Sequence, residues 1–182
     1  MFGFKHGFYV QPMNAVYAET VAMYAVWTLL MLLLRGKARR AVACAGAVLA
    51  FTLVILFTVS GRTGGGARSL SLIPFISFYR AKIQPELLRA SFMNVLLFMP
   101  LGLSLPFAAS ERLRHPVLLS VSAGFFLSLT VETVQYAFAI GNSELDDVIM
   151  NTLGVIIGAT SFLLTRQARK LFSRKKRRRR GR

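Results

Sequence analysis

Cysteine and histidine are scarce in this sequence of 182 residues, and their scarcity removes several classes of site. The single cysteine, Cys44, excludes an intrachain disulfide and lies in an apolar segment, where a thiol packs as a small hydrophobic group. The two histidines, His6 and His115, are far apart in the chain. Neither a zinc-binding cluster nor a serine–histidine–aspartate set can therefore be identified. We expect no metal site and no cofactor.

Charged residues are also few. They make up 16% of the chain, below the ~25% usual in soluble domains, while 54% of the residues are hydrophobic. The charges avoid long apolar runs, five of which reach the ~20 residues that a helix needs to cross a bilayer core. The sequence therefore predicts an all-α integral membrane protein with about five transmembrane helices, at 15–34, 41–60, 92–110, 117–138 and 147–165. Pro100 and Pro106 predict a kink or an early end in the third.

The spans divide the chain into three regions. Residues 1–69 hold two helices and a glycine-rich connector at 63–67, residues 70–165 hold a membrane core with three helices, and residues 166–182 form a basic tail. The connector lacks the lysine and the serine or threonine of a phosphate-binding loop. In the last span, Gly154 and Gly158 form a GxxxG pair, which predicts close helix packing within the chain.

Basic residues set the predicted orientation, because positively charged loops stay in the cytoplasm. Alternation of the loops puts seventeen of the 23 lysines and arginines on one side and six on the other. The amino terminus is therefore predicted outside and the carboxyl terminus in the cytoplasm, in a multi-pass protein of the cell membrane. The tail holds eleven basic residues. We expect its first half to extend the last helix, the arginine run at 177–180 to be disordered, and anionic lipid, not nucleic acid, to be its partner.

In this orientation the polar residues of the spans lie toward the outer membrane face. Asn94 lies in the outer part of the third span. Glu132 and Gln135 lie in that of the fourth, and Asp147 and Asn151 in that of the fifth. Residues three or four apart share a helix face, so each pair projects together. A carboxylate inside a span must be neutral, paired or in contact with water. We therefore predict an outward-facing polar pocket lined by these five residues.

Most of these residues also have a purely structural interpretation. Asn94, Gln135 and Asn151 could be hydrogen-bonding links between helices, each worth about 0.6–2 kcal/mol. Asp146 is interpreted as an acid at the positive end of the last helix, where it favours the helix dipole and caps free N–H groups. Glu132 is the residue least easily explained in this way, because a buried carboxylate is costly.

The longest loop, residues 61–91, contains an apolar and aromatic run at 71–79 that is broken by Pro74. Such a run is typical of a segment that lies in the membrane interface or dips into it, and a solvated loop is the alternative. The loop would face outward with five basic residues that could bind anionic headgroups or phosphates. These residues are Arg62, Arg68, Arg80, Lys82 and Arg89.

Four short motifs, in order along residues 70–160, resemble those of the VanZ-like family. They are Leu-Ile-Pro-Phe at 72–75, with Pro74 and Phe75; N-x-x-L-F-x-P-L-G at 94–102, with Pro100 and Gly102; E-x-x-Q at 132–135; and D-x-x-x-N-T-x-G at 147–154, ending at Gly154. The family often shows Arg-x-x-Asp before the final aspartates, where this chain has Gly141 and Glu144. A basic residue from loop 61–91 is the candidate replacement for that arginine.

The resemblance implies a bacterial polytopic membrane protein, in some relatives linked to resistance to lipid-tailed glycopeptides of the teicoplanin type. It fixes neither a substrate nor a reaction. We expect binding of membrane lipid, a lipid-linked cell-wall precursor or a lipoglycopeptide, with Pro100 and Gly102 shaping the third span beside the pocket. The alternative is a membrane enzyme acting on an envelope lipid or an isoprenoid-linked substrate, with Glu132 and Asp147 as acid–base or metal-binding groups. A transporter is a third interpretation.

Overall fold

The computed structural model describes residues 13–60, 68–109 and 113–180 of the chain. Within these ranges the elements are α1 (Met13–Leu33), α2 (Gly36–Thr58), β1 (Ser69–Ser71), α3 (Ile76–Arg80), α4 (Glu86–Ala108), α5 (Pro116–Phe138), β2 (Asn142–Glu144) and α6 (Leu145–Arg180). All the helices except α3 are long and apolar enough to cross a membrane. The predicted all-α membrane fold with five spans is therefore confirmed. The connector at 63–67, Arg62 and His6 lie outside the described residues.

The turns between helices follow from local sequence. Gly36 opens α2 with a φ of 53°, a left-handed conformation that glycine adopts at little cost. Pro116 opens α5, where the missing N–H of proline would have had no partner in the helix. At the other end of α5, Ala139 is left-handed and the N–H of Ile140 donates to the carbonyl of Gln135 at 3.0 Å. This closure stops α5 and turns the chain toward β2.

α4 is the central helix of the bundle. In its apolar stretch 56% of the residues are buried, against 6% in α1 and 22% in α2. It begins at Glu86, not at residue 92, and it runs through both Pro100 and Pro106 to Ala108. The predicted early end of the third span is therefore wrong. Neighbouring helices can hold a proline-containing helix together in a membrane, and α4 packs against α1, α2, α5 and α6.

The closest helix contact is between α4 and α6, and it depends on glycine. A Cβ atom at Gly154 would lie 2.2 Å from the carbonyl oxygen of Val95, and one at Gly158 would lie 2.2 Å from that of Met99. On the facing side, a Cβ atom at Gly102 would lie 2.1 Å from the carbonyl oxygen of Val155. Only glycine allows the two backbones to approach this closely. The GxxxG pair therefore serves packing within the chain, as predicted.

α6 is much longer than a membrane span. Its 36 residues correspond to about 54 Å at 1.5 Å per residue, against ~30 Å for a hydrocarbon core. The arginine run at 177–180 continues the helix, so the prediction of disorder there is wrong. Lysine and arginine are good helix formers, and elongating an existing helix is far easier than starting one.

The end of the bundle at which α1 and α4 finish is held by an arginine of α6. The Nη2 atom of Arg169 donates to the carbonyl oxygen of Met31 at 2.9 Å and to that of Leu32 at 3.0 Å. It also bonds the carbonyl oxygen of Leu34. The last carbonyl groups of a helix have no partner within that helix, so a basic side chain stabilises them. Arg169 therefore fixes α6 against the end of α1.

Candidate functional site

Four buried or half-buried carboxylates lie at the opposite end of the bundle, where α2 and α5 finish and α4 and α6 begin. We call this the carboxylate end, after Glu132, Glu144, Asp146 and Asp147. β1 and β2 pair there as two short parallel strands, from Ser69 opposite Asn142 to Ser71 opposite Glu144. The pairing brings the segment before α3 against the connection between α5 and α6. Two loops that are distant in sequence therefore meet beside the ends of the spans.

Asn94 and Asp147 are joined across the central helix contact. The Nδ2 atom of Asn94, on α4, donates to the Oδ1 atom of Asp147, on α6, at 2.7 Å. Both side chains are half-buried. Asp147 lies in the first turn of α6, where the helix dipole favours an acid. The bond therefore links α4 and α6, the two most closely packed helices, at the ends where both begin.

Glu132 is buried near the end of α5, with 5% of its surface exposed. Its Oε2 atom accepts the backbone N–H of Glu144 at 3.0 Å, which ties α5 to β2. Glu144 in turn accepts the hydroxyl of Ser77 at 3.0 Å through its own Oε2 atom. Burying a polar group is costly unless it is hydrogen-bonded, and each of these carboxylates has a bond that offsets the cost. The result is a chain of contacts from α5 through β2 to α3.

Asp146 reaches the loop before α3, a role that the sequence did not predict. Its side chain is only 1% exposed. The Oδ1 atom accepts the N–H of Phe75 at 2.5 Å, and the Oδ2 atom accepts the N–H of Ser77 at 2.8 Å. Asp146 does lie in the first turn of α6, at the positive end of the helix dipole as predicted, but the hydrogen bonds of its side chain run to the loop before α3. Both carboxylate oxygens hold a different part of the chain.

Gln135 and Asn151 form bonds between helices. The Nε2 atom of Gln135 donates to the carbonyl oxygen of Thr58 at 3.0 Å, which satisfies a free carbonyl at the end of α2. The Nδ2 atom of Asn151 donates to the hydroxyl of Ser128 at 2.9 Å, linking α6 to α5. Within the described ranges the Oδ1 atom of Asn151 is buried without a hydrogen-bond partner. These contacts match the interhelical interpretation of both amides.

The residues predicted to be structural lie around this cluster. Phe75 follows the exposed Pro74 and has a φ of 61°, an unusual left-handed conformation for a bulky residue. Pro100 and Gly102 lie further along α4 than Asn94, and Gly102 contacts α6. Gly154 contacts α4 near Val95, directly after Asn94 in the sequence. Packing at the two glycines therefore sets how closely α4 and α6 approach each other.

Positive charge lies on the surface of the carboxylate end. The guanidinium group of Arg68 lies 5.9 Å from the ring centroid of Tyr136 and donates to the carbonyl oxygen of Ala137 at 3.4 Å. Arg80 and Lys82 are exposed. The acids that bond the loops, by contrast, are buried or half-buried. Position 141, where the resembling family often has an arginine, is Gly141 here, and a basic residue of loop 61–91 was predicted to replace that arginine. Arg68 comes from this loop, and it contacts the end of α5 close to Gly141 in the sequence.

The arrangement offers hydrogen-bond acceptors and donors but no evident metal centre. In the described ranges there is no group of three or more histidine, cysteine, aspartate or glutamate side chains suited to hold a metal ion. The carboxylates are spread along two helices and a strand, and at least three of them bind backbone or side-chain donors of the protein itself. Chemically, the cluster can position polar groups and accept hydrogen bonds.

Several residues of this cluster were not selected from the sequence. Thr58, Ser77 and Ser128 are single hydroxyl-bearing residues in apolar surroundings, and nothing in their spacing distinguishes them. The sequence did give some indication for Asp146, because it is a second acid directly before Asp147. The motif at 72–75, which contains a proline, has backbone N–H groups that need acceptors. That signal could have suggested a contact between loop and helix, although not the atoms involved.

Comparison with known proteins gives two matches. A family model described as VanZ/LLP1 matches residues 23–166 of the chain. Protein VanZ of Enterococcus faecium is 38% identical over 93 residues, which cover 50% of this chain and 50% of that protein. The chain thus matches about half the length of this curated relative. No solved structure matches the chain at a significant level. The region that the family model matches includes all four acids that define the carboxylate end.

Proposed function

Because the chain belongs to the VanZ/LLP1 family, we propose that it is a cell-envelope protein that binds an amphiphilic molecule at the carboxylate end. The bound molecule is a lipid-linked cell-wall precursor or a lipoglycopeptide, and the outcome is envelope homeostasis or tolerance of teicoplanin-type antibiotics. Its location is the cell membrane, with the amino terminus outside and the carboxyl terminus in the cytoplasm. In this orientation the carboxylate end faces outward, where such molecules occur.

One observation carries this proposal. Asn94 and Asp147 bond to each other at the same end of the bundle at which Glu132 is buried. Polar groups within membrane helices are costly, and they mark ligand and ion sites more often than lipid-facing surfaces. Asn151 adds a buried oxygen atom that has no hydrogen-bond partner among the described residues. In the proposed outward pocket, these residues and Gln135 would supply acceptors for hydroxyl, amide or ammonium groups of a ligand.

An amphiphile fits this end of the molecule because polar and apolar surfaces adjoin there. The cluster lies between the ends of apolar helices, so a headgroup at the cluster leaves its lipid tail beside the spans. Exposed Arg80 and Lys82 lie on the same end and suit phosphate or carboxylate groups. A soluble polar ligand would make no use of the surrounding apolar surface.

Drug susceptibility of a deletion strain tests the proposal. The strain is challenged with glycopeptides, lipoglycopeptides and membrane-active peptides, and it is complemented with the wild-type gene or with single variants at equal protein level. We expect deletion to increase susceptibility to lipid-tailed glycopeptides and the wild-type gene to restore tolerance. Unchanged susceptibility across the whole panel would refute a role in envelope defence.

The alternative is a membrane enzyme that acts on an envelope lipid or an isoprenoid-linked substrate. It is favoured by the burial of Glu132, since burial is one way in which proteins tune a carboxylic acid for proton transfer. Glu132→Gln separates the two functions. Glutamine keeps an oxygen that can accept the N–H of Glu144 but cannot exchange a proton, so a binding protein keeps most of its function and an acid–base enzyme loses nearly all of it.

The matched control is Glu86→Gln. Glu86 lies at the same end, in the first turn of α4, but its side chain is exposed. The substitution makes the same chemical change outside the buried cluster, so tolerance should equal that of the wild type in either case. A loss with Glu132→Gln alone assigns a protonation role to Glu132, whereas equal loss in both variants points to a nonspecific charge effect and contradicts both forms of the proposal.

A further inference from the structure

The segment 72–83 carries large apolar side chains that point away from the protein. The exposed fractions reach 65% for Leu72, 57% for Phe75, 68% for Tyr79 and 84% for Ile83. They lie in and around α3, at the carboxylate end of the bundle and outside the five membrane-spanning helices. A contiguous apolar surface of this kind marks contact with a membrane or another molecule. Aromatic rings in particular are enriched where hydrocarbon meets headgroups.

The exposure of this segment is imposed by specific bonds. Asp146 accepts the N–H groups of Phe75 and Ser77, and Glu144 accepts the hydroxyl of Ser77. Such contacts stabilise the left-handed backbone of Phe75, a conformation that is unfavourable for a bulky residue. A loose apolar loop would turn its side chains inward, away from water. Here two carboxylates fix the backbone while the apolar side chains remain outside.

The charges of the same segment have one sign. Residues 68–85 contain Arg68, Arg80 and Lys82 and no acid. The Nζ atom of Lys82 lies 5.3 Å from the ring centroid of Tyr79, which places an ammonium group directly beside the apolar surface. The adjacent acids Glu144 and Asp146 face inward, toward the loop backbone and Ser77. The outer side of the segment therefore combines an apolar and aromatic surface with positive charge.

From this combination we propose that the segment 72–83 lies in the membrane interface at the carboxylate end and binds the phosphate headgroups of anionic phospholipid through Arg80 and Lys82. The aromatic rings occupy the boundary between acyl chains and headgroups, and the two cations reach the phosphates. Each basic residue near an anionic surface adds electrostatic attraction to it. Zwitterionic lipid satisfies the apolar part of this surface but has no net charge for the cations to neutralise.

The depth of the segment is measured with nitroxide labels and power-saturation electron paramagnetic resonance in lipid nanodiscs. The chain has one cysteine, Cys44, which is exposed, so Cys44→Ala gives a mild background for single labels. Labels are placed by Phe75→Cys and Ile83→Cys. The control is Phe126→Cys, whose position in the middle of α5 is 62% exposed. We expect interfacial depth at 75 and 83 and hydrocarbon depth at 126.

Two results would overturn the interfacial position. Labels at 75 and 83 with the accessibility of a fully aqueous site would place the segment in water, as for a surface that binds a soluble protein. Labels as deep as the one at 126 would place the segment inside the hydrocarbon core. Correct folding of each labelled protein is checked by its thermal unfolding midpoint, and the two label positions serve as independent tests.

The headgroup arm compares nanodiscs of phosphatidylcholine alone with discs that also contain phosphatidylglycerol. In the wild-type background we expect phosphatidylglycerol to shift the label at 75 toward the membrane and to reduce its mobility. Arg80→Gln with Lys82→Gln should abolish that shift. Lys175→Gln with Lys176→Gln removes two charges from the basic tail instead and should preserve it. A shift that persists without Arg80 and Lys82, or that is absent from the wild type, contradicts anionic lipid as the partner.

Discussion

Phe75 and Asp146 are joined by a hydrogen bond of 2.5 Å although 71 positions separate them in the chain. The bond runs from the backbone of a left-handed residue to a carboxylate that is nearly inaccessible to solvent. An acid in the first turn of the last helix thus decides where an aromatic loop of the middle of the chain lies. The carboxylate end is an assembly of distant segments, and its stability depends on a few charged side chains.

Loss of the Asp146 carboxylate should loosen the loop before α3. Asp146→Ala removes the acceptor of two backbone N–H groups, at a cost of about 1–3 kcal/mol for each buried donor left without a partner. We expect amide hydrogen exchange in residues 72–81 to accelerate by roughly five- to 150-fold for each donor lost, measured by mass spectrometry. Asp146→Asn keeps one acceptor oxygen and should have a smaller effect.

The control for this loop is Asp147→Asn, one position further along α6. It makes the same change of charge, but the Asp147 side chain accepts from Asn94 of α4, whereas both loop N–H groups donate to Asp146. Exchange in residues 72–81 should remain close to that of the wild type. Equal acceleration in Asp146→Asn and Asp147→Asn would mean that the loop responds to charge at the start of α6 and not to its two hydrogen bonds.

Asn94 and Asp147 should be energetically coupled. Asn94→Leu keeps a side chain of similar size but removes the donor to the carboxylate, and we expect a loss of about 1.5–3 kcal/mol in the free energy of unfolding. The measurement is thermal or denaturant unfolding in detergent. In a double-mutant cycle with Asp147→Ala, the combined cost should be clearly less than the sum of the single costs. Additive costs would show that the bond contributes no net stability.

Glycine at the contact between α4 and α6 should be far less replaceable than glycine at the contact between α5 and α6. Gly154→Ala would place a Cβ atom 2.2 Å from the carbonyl oxygen of Val95, which is backbone and cannot move alone. We expect a destabilisation of about 1–3 kcal/mol or more from overpacking, read from the unfolding midpoint. Gly124→Ala would place a Cβ atom against the side chain of Val155, with its Cγ2 atom nearest at 2.5 Å and no backbone atom among its closest contacts, and is the matched control. Equal midpoints for the two variants would contradict the tight helix contact.

Arg169 should stabilise the turn between α1 and α2 directly, although it is far from that turn in the sequence. Arg169→Met keeps much of the aliphatic stem and removes the donors to the carbonyl groups of Met31, Leu32 and Leu34. We expect faster amide exchange in residues 30–37 and a lower unfolding midpoint. Lys170→Met removes an exposed charge from the next position and should change neither. Faster exchange in both variants would assign the effect to the net charge of the tail.

The number and type of the spans could be predicted because each depends on local composition. About twenty consecutive apolar residues must form a helix in a membrane, whatever the rest of the chain does. The extent of α4 could not be read in this way. Pro100 and Pro106 signal interruption locally, whereas the packing of four neighbouring helices around α4 decides the outcome. Tertiary contacts of this kind override local preference.

The polar residues of the site could be found for the same reason, since each is unusual within an apolar segment. Asn94 with Asp147 is a pairing that the shared membrane face made plausible, and the structure brings the two together. The partners of Gln135 and Asn151 were not predictable, because a backbone carbonyl such as that of Thr58 carries no signal in the sequence. The helix-dipole position of Asp146 could be predicted from the sequence, whereas its bonds to Phe75 and Ser77 could not, because those partners are backbone groups of a distant loop. Whether the five predicted residues bind a ligand is what the susceptibility experiment decides.

The contacts of α6 have a consequence for biogenesis. Asp147 accepts a hydrogen bond from Asn94, and Asp146 accepts the backbone N–H groups of Phe75 and Ser77. Arg169 donates to the carbonyl groups at the end of α1. All these acceptors and donors come from α6, which leaves the ribosome after α1 to α5. Until α6 has inserted, these polar groups of the earlier segments lack their native hydrogen bonds. The newly made chain is therefore more exposed to membrane proteases and chaperones in the interval before α6 inserts.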